Sequence, residues 1–172
     1  DGLKVIKSGD IWLSETPDVP GSKSFESEFP RLGTWALLSI QGEEILAINT
    51  HLDHVREETR SKQIKVLIKE VKSLFQNIPI LFAGDFNSAP HEKVRTIIDQ
   101  SLQLIDPWTS LALEEESSHH SFDGDTTKGD RIDWVLHSHQ FKPLKIYLDK
   151  TCSNTTYPSD PFPLIAELNY KP

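Results

Sequence analysis

The chain has 172 residues, of which 37% are hydrophobic and 26% charged, and its net charge is -8. That size and balance suit one globular domain with a real core and exclude a disordered chain. No apolar run reaches membrane-spanning length, the single cysteine, Cys152, excludes an internal disulfide, and the acidic balance speaks against a broad duplex-binding surface while suiting a protein that concentrates cations.

Leu3, Val5 and Ile6, then Ile11-Trp12-Leu13, split by Ser8-Gly9-Asp10, predict two short strands joined by a turn. The opening Asp1-Gly2-Leu3-Lys4 lacks the basic-then-apolar pattern of a signal peptide. A soluble, cytoplasmic protein is slightly favoured, and secretion is left open. Residues 14–33 are rich in Pro, Gly and Ser and predict a long loop, of the kind that often serves function in a compact domain. Two apolar runs, 34–40 and 43–50, flank Gln41-Gly42 and predict a hairpin. His51-Leu52-Asp53-His54 follows its second strand.

Ile64, Leu67, Ile68, Val71, Leu74 and Phe75 then recur at helical period, with Lys62, Lys65, Lys69 and Lys72 off the stripe as a solvated face. This helix returns the chain to a strand at 79–84, whose continuous apolar run predicts burial on both faces and completes a βαβ unit. Strand alternation would carry Asp85 and Asn87 to the same side. A short helix is expected over 91–100, with Val94, Ile97 and Ile98 inward. Residues 101–129 read as loop. Further strands are expected at 131–136, 144–148 and 164–168. Many strands with few helices predict a sheet-rich α/β sandwich, in one domain over 1–172 with no linker or repeat.

Four polar clusters sit at or beside strand ends: Asn49-Thr50-His51, Asp85-Phe86-Asn87, Arg131-Ile132-Asp133 and Ser159-Asp160. Loops at one rim of layered sheets build sites. If these rims coincide, carboxylate and amide oxygens meet in a set suited to Mg2+ or Mn2+, and the absence of Cys-x-x-Cys or His-Glu-x-x-His argues against zinc. A phosphoester needs positive charge for its nonbridging oxygens, a base for the attacking water, and an acid or metal for the leaving oxygen. The plainer readings are a polar strand end for His51, a cap for Asp85 and Asn87, a surface ion pair of Asp133 with Arg131, and a turn residue for Asp160. His54, His91, His137 and His139 read as solvated; Trp35, Trp108 and Trp134 as core; Cys152 as a bystander.

Taken in order, Asn49-Thr50-His51-Leu52, Gly84-Asp85-Phe86-Asn87, Arg131-Ile132-Asp133 and Ser159-Asp160 resemble the endonuclease/exonuclease/phosphatase superfamily with the DNase I fold. Trp12-Leu13-Ser14-Glu15-Thr16-Pro17, with Pro20-Gly21-Ser22 and Arg31, is similar to bacterial members. The resemblance covers nearly the whole chain. It implies a four-layer α/β/β/α sandwich, of which this chain would be the C-terminal portion, and a Mg2+- or Mn2+-dependent phosphoester hydrolase: phosphodiesterase, nuclease or phosphatase. The substrate class stays open among nucleic acid, phospholipid headgroup and small phosphate esters, and the oligomeric state is not read.

The resemblance also implies roles. His51 would hold the scissile phosphate, Asp85 would orient or deprotonate the nucleophile, and Asn87 would bind phosphate or metal. Asp133 would orient a general-base histidine, and Asp160 would bind metal or partner that base. Asp85, Asn87 and Asp160 are thus the implied metal ligands. Asn49 would support the metal site, with Arg31 and His120 beside the substrate. Two departures stand out. The family's closing Ser-Asp-His is Ser159-Asp160-Pro161 here, which removes the expected general base. The family's upstream Asn strand and Gln-Glu metal ligand have no counterpart, so a partial domain with its N-terminal segment missing and little or no turnover is expected. The alternatives are a catalytically dead phosphate-ligand-binding module, or an inert fragment of a larger hydrolase.

Overall fold

The computed structural model describes residues 2–171; Asp1 and Pro172, the two ends of the expected domain, lie outside them. The elements run β1 (Leu3–Trp12), β2 (Leu32–Ile40), β3 (Glu43–His51), α1 (Glu57–Leu74), β4 (Ile80–Asp85), α2 (Lys93–Leu102), α3 (Pro107–Ser110), β5 (Asp133–His137), β6 (Phe141–Leu148) and β7 (Leu164–Tyr170). The first five strands form one sheet in the order β1-β2-β3-β4-β5, and β6 pairs with β7 in a second.

The two strands expected at the start are one, β1, paired antiparallel with β2 and irregular between Val5 and Lys7. Gly9 is no turn residue. It faces Trp35 in the ladder, and a Cβ there would stand 2.8 Å from the indole ring, so glycine serves close approach. The hairpin β2-β3 turns on Gln41 and Gly42, both at positive φ (54° and 94°), as the right-handed twist of a two-residue hairpin requires.

Helix α1 carries Glu57 and Glu58 in its first turn and Lys72 in its last, the arrangement its dipole favours. Ile64, Leu67, Ile68 and Val71 are buried against the sheet, while Lys62, Lys65, Lys69 and Lys72 are exposed, as the stripe predicts. The stripe is shorter than expected: Leu74 is exposed, and Phe75 leaves the helix to pack edge-on against Trp35 at 4.9 Å. The helix carries the chain over so that β4 lies parallel to β3, the expected βαβ unit. Helix α2 starts at Lys93, two residues later than expected, with Val94 and Ile98 inward.

The main core lies between α1, α2 and one face of the large sheet and includes Trp35, Ile48, Phe82, Phe86 and Trp134. A smaller core, with Trp108, Ile146, Leu148 and Phe162, joins α3 and the two-stranded sheet to Val135 of β5. Because that second sheet has two strands and its contacts with the large sheet fall on β5, Leu81 and Ala83 on the far face of β4 are only partly covered. Burial of β4 on both faces therefore does not hold; the helix side alone is sealed. His137, expected in solvent, is fully buried, with Nδ1 2.8 Å from the Ser138 carbonyl. Among the described residues, no helix is long and apolar enough to cross a membrane.

Gly84 fixes how closely β4 approaches β3. Its φ is +151°, and a Cβ would fall 2.1 Å from the Thr50 carbonyl oxygen. The obstacle is backbone and cannot rotate away. Gly84→Ala is expected to cost at least about 2 kcal/mol of unfolding free energy in urea titration. A cost under about 0.5 kcal/mol, the scale of an unconstrained surface change, would show that the two strands can part to admit a methyl.

Candidate active site

Strand register builds the site. In the parallel ladder His51 of β3 is opposite Asp85 of β4, and in the antiparallel ladder Asp85 is opposite Asp133 of β5. Three of the expected residues thus form one rung across three strands. Paired residues share a face, and so does Asn49, two positions before His51. A cavity of about 350 Å³ lies over this rung, lined by Asn49, His51, Asp85, Asp133, Val135 and Leu164 among others. Another cavity is larger, about 640 Å³, but Glu115, Glu116 and Asp130 line it, and Arg131 in its wall is already paired. The rung cavity also holds carboxylates, but it sets the donors His51 and Asn49 beside them and is the better phosphate site.

His51 Nε2 lies 3.4 Å from Asp85 Oδ2, with the imidazole 55% and the carboxylate 18% exposed. Partial burial holds the His51 pKa below its ordinary value and outweighs the opposing pull of Asp85, so the ring is neutral at pH 7 and one ring nitrogen carries a proton to donate. The other Asp85 oxygen accepts the Asn87 backbone N–H at 2.8 Å. Strand β4 ends at Asp85, and Asn87 has left the strand with φ +48°, so alternation does not carry it to the same side. Its side-chain amide instead donates to the Leu52 carbonyl at 3.0 Å. Arg31, at the end of the long loop, lies near enough for Asp85 and His51 to feel its charge; burial lowers its own pKa.

Asp133 holds the least comfortable charge. One of its oxygens, Oδ2, is buried without a hydrogen-bond partner. Burial above all pushes its pKa up to about 7; the Ser118 hydroxyl pulls the other way, and the neighbouring charges of Asp85 and Asp160 add smaller upward pushes. It makes no pair with Arg131, which is fully buried and bound to Asp106 and Glu115 beneath the Trp108 ring.

Asp160 is 8% exposed, and both its oxygens have partners: the His120 backbone N–H at 2.9 Å and the His119 ring at 3.3 Å. His120 is buried, stacked on Phe162 at 3.7 Å with its Nε2 3.0 Å from the Ser159 carbonyl. It therefore holds the Ser159-Asp160 segment in place and faces no open cleft. Two residues were not picked out from sequence. Ser118 is buried and its hydroxyl accepts the N–H groups of Ile132 and Asp133, fixing the start of β5. His119 is half-exposed, with its ring against Asp160. The adjacent histidines were the one visible signal. Among the described residues, no three His, Cys, Asp or Glu side chains converge as a ready-made metal cage.

Solved structures of similar shape exist. A functionally unknown conserved protein from Enterococcus faecalis V583 superposes with a TM-score of 0.85 at 26% identity, over 99% of this chain and 68% of its own. An endonuclease/exonuclease/phosphatase family protein from Bacteroides thetaiotaomicron gives 0.81 at 26% identity, over 97% of this chain and 66% of its own. A mannosyl-6-phosphatase from Bacteroides thetaiotaomicron VPI-5482 gives 0.80 at 26% identity, over 99% and 68%. The chain thus spans about two thirds of the length of these proteins. No family model and no curated protein matches the sequence. The fold is the mixed α/β architecture of the DNase I type, with its polar rim on the ends of β3, β4 and β5. These likenesses support membership of the endonuclease/exonuclease/phosphatase superfamily, and one of the three proteins is a mannosyl-6-phosphatase.

The raised Asp133 pKa has a thermodynamic sign. The folded state holds this proton more tightly than the unfolded chain. The stability that Asp133 contributes is therefore complete below about pH 4 and is lost as pH rises through about 7. Asp133→Asn is expected to remove that slope, gaining on the native protein by up to about 4 kcal/mol between pH 4 and pH 8. Urea unfolding of both proteins across this range checks it; parallel stability curves would contradict the strained carboxyl.

Proposed function

We propose that the chain is a phosphoester hydrolase working with a divalent metal ion, Mg2+ or Mn2+, and that the rung cavity grips one phosphoryl group. The observation carrying this reading is the His51–Asp85–Asp133 rung, which sets a neutral imidazole and two carboxylates on one face. The His51 N–H and the Asn49 amide serve nonbridging oxygens, and Arg31 adds the positive charge that three carboxylates lack. Asp85 orients the attacking water and takes its proton. As the new P–O bond forms, the bond to the leaving oxygen breaks, and that oxygen takes a proton from solvent.

The residues present fit the metal. The donors are all oxygen, and the unpartnered buried Asp133 Oδ2 beside the charges of Asp85 and Asp160 would welcome a cation. Mg2+ is usually held by only one or two carboxylates, with water and phosphate oxygens completing its shell, so no three-residue cage is needed. Asp85 and Asp133 would hold it, with Asn87 close by. Asp160, at 8% exposed the more enclosed of the two carboxylates with engaged oxygens, serves better as a support than Asp85 at 18%. When bound, the ion would neutralise nonbridging oxygens and steady the leaving group.

Pro161 favours a second reading, a phosphate-binding module without turnover, because no imidazole stands where the resemblance implies the base. An assay of p-nitrophenyl phosphate and its bis ester with Mg2+ or Mn2+ separates the two. Slow turnover is expected in the native chain, none in Asp85→Ala, and about a hundredfold higher kcat in Pro161→His. No turnover in either the native chain or Pro161→His, with inorganic phosphate still bound, would leave the binding module standing.

A further inference from the structure

The long loop between β1 and β2 presents a large apolar side chain where folding alone gives it no use. Phe29 is 55% exposed. Its ring lies over the imidazole of His54 at 5.9 Å with an interplanar angle of 20°, and the Arg31 guanidinium sits 5.8 Å above it. Arg31 Nη2 and His54 Nδ1 are 3.3 Å apart. Three flat groups from two segments thus make one plate. Arg31 joins that plate to the rung: it meets His54, three residues beyond His51 at the end of β3.

The plate is held rigidly. Asp53 is fully buried, and one of its oxygens accepts the Glu28 N–H and the Ser27 hydroxyl while the other accepts the N–H groups of Val55 and Arg56. One carboxylate therefore clamps the segment carrying Phe29 to the turn carrying His54. Gln63 braces the same junction, accepting from Asp53 N–H at 2.8 Å and donating to the Ser27 hydroxyl at 3.0 Å. An exposed phenyl on a mobile loop would fold away from water; this one is kept in water by a buried network. Such preorganisation suits a ring that arrives from outside.

We infer that Phe29, His54 and Arg31 form a stacking platform for the base of a nucleoside phosphate whose phosphoryl group occupies the rung cavity. The inference rests on the phosphate reading of that cavity. A planar, electron-rich base matches a platform of phenyl, imidazole and guanidinium in shape and in charge. One exposed phenyl in the platform and a chain charge of -8 point to one nucleotide, such as a mononucleotide or a strand end, and away from a long polymer.

Calorimetric titration with AMP, ribose 5-phosphate and inorganic phosphate tests this, because ribose 5-phosphate is AMP without its base. AMP is expected to bind about tenfold more tightly than ribose 5-phosphate, from one stacked base. Phe29→Ala should remove that advantage and leave ribose 5-phosphate unchanged, while Phe29→Trp should keep it. Equal affinity of the two esters in the native chain, or a loss in Phe29→Ala shared by both, would overturn the platform. His51→Ala separates the two levels: it should weaken all three ligands alike. A base advantage that survives His51→Ala, with phosphate affinity untouched, would uphold the platform and end the phosphate reading of the rung. No binding of any ligand would end both.

Discussion

The parallel pairing of β3 with β4 is the constraint on which the site depends. Parallel neighbours need a crossover, and the eighteen residues of α1 provide it while sealing one face of the sheet. The pairing brings both strands to the same rim, so that His51 and Asp85 end side by side. It also demands Gly84, where the backbone of β4 meets the Thr50 carbonyl too closely for any side chain. β5 then adds Asp133 to the rung from the opposite direction. The functional groups are few, but each is placed by a strand end packed on the main core, and geometry set by sheet register is more rigid than geometry set by loops.

Electrostatically, the pocket is unfinished. Asp85, Asp133 and Asp160 crowd one rim, and a neutral His51 and a partly buried Arg31 do not balance them. Burial and like charge both fall on Asp133, which has no donor for one buried oxygen. Stabilisation is thereby given up locally, as at sites arranged to receive a charged group. Around this strain the neighbouring segments are well tied: Ser118, His120 and Phe162 lace the start of β5 to the Ser159-Asp160 segment through main-chain and ring contacts.

Much of this was legible in the chain. The apolar stripe of α1, the Gln41-Gly42 hairpin and the run of β4 each carry a period or turn signal that tertiary packing did not override. The polar clusters at 49–51, 85–87 and 131–133 marked the right strand ends. What failed did so for physical reasons. Gly9 reads equally as turn or as close approach, and only the position of Trp35 decides. Asn87 follows a strand that stops two residues earlier than alternation assumed. The partners of Arg131 lie 25 and 16 residues away, and no local pattern announces that a guanidinium will be interior. His137 is covered by β-sheet packing although its sequence neighbours, Ser138 and His139, look like surface. Ser118 had no signal, because a serine hydroxyl that accepts two main-chain N–H groups resembles any other serine.

The Asp53 clamp makes the rim behave as a single plate. Its carboxyl must bear the cost of burial, yet the N–H groups of Glu28, Arg56 and Val55 and the Ser27 hydroxyl bring its pKa below the ordinary aspartate value. Its contribution to stability is present above that ordinary value and fades as pH falls through the lower folded one. Acid would thus discharge one buried group and unhook two surface segments together, well before it undid the apolar layer beneath α1. The entrance to the pocket would then loosen at an acidity that leaves the frame beneath it in place.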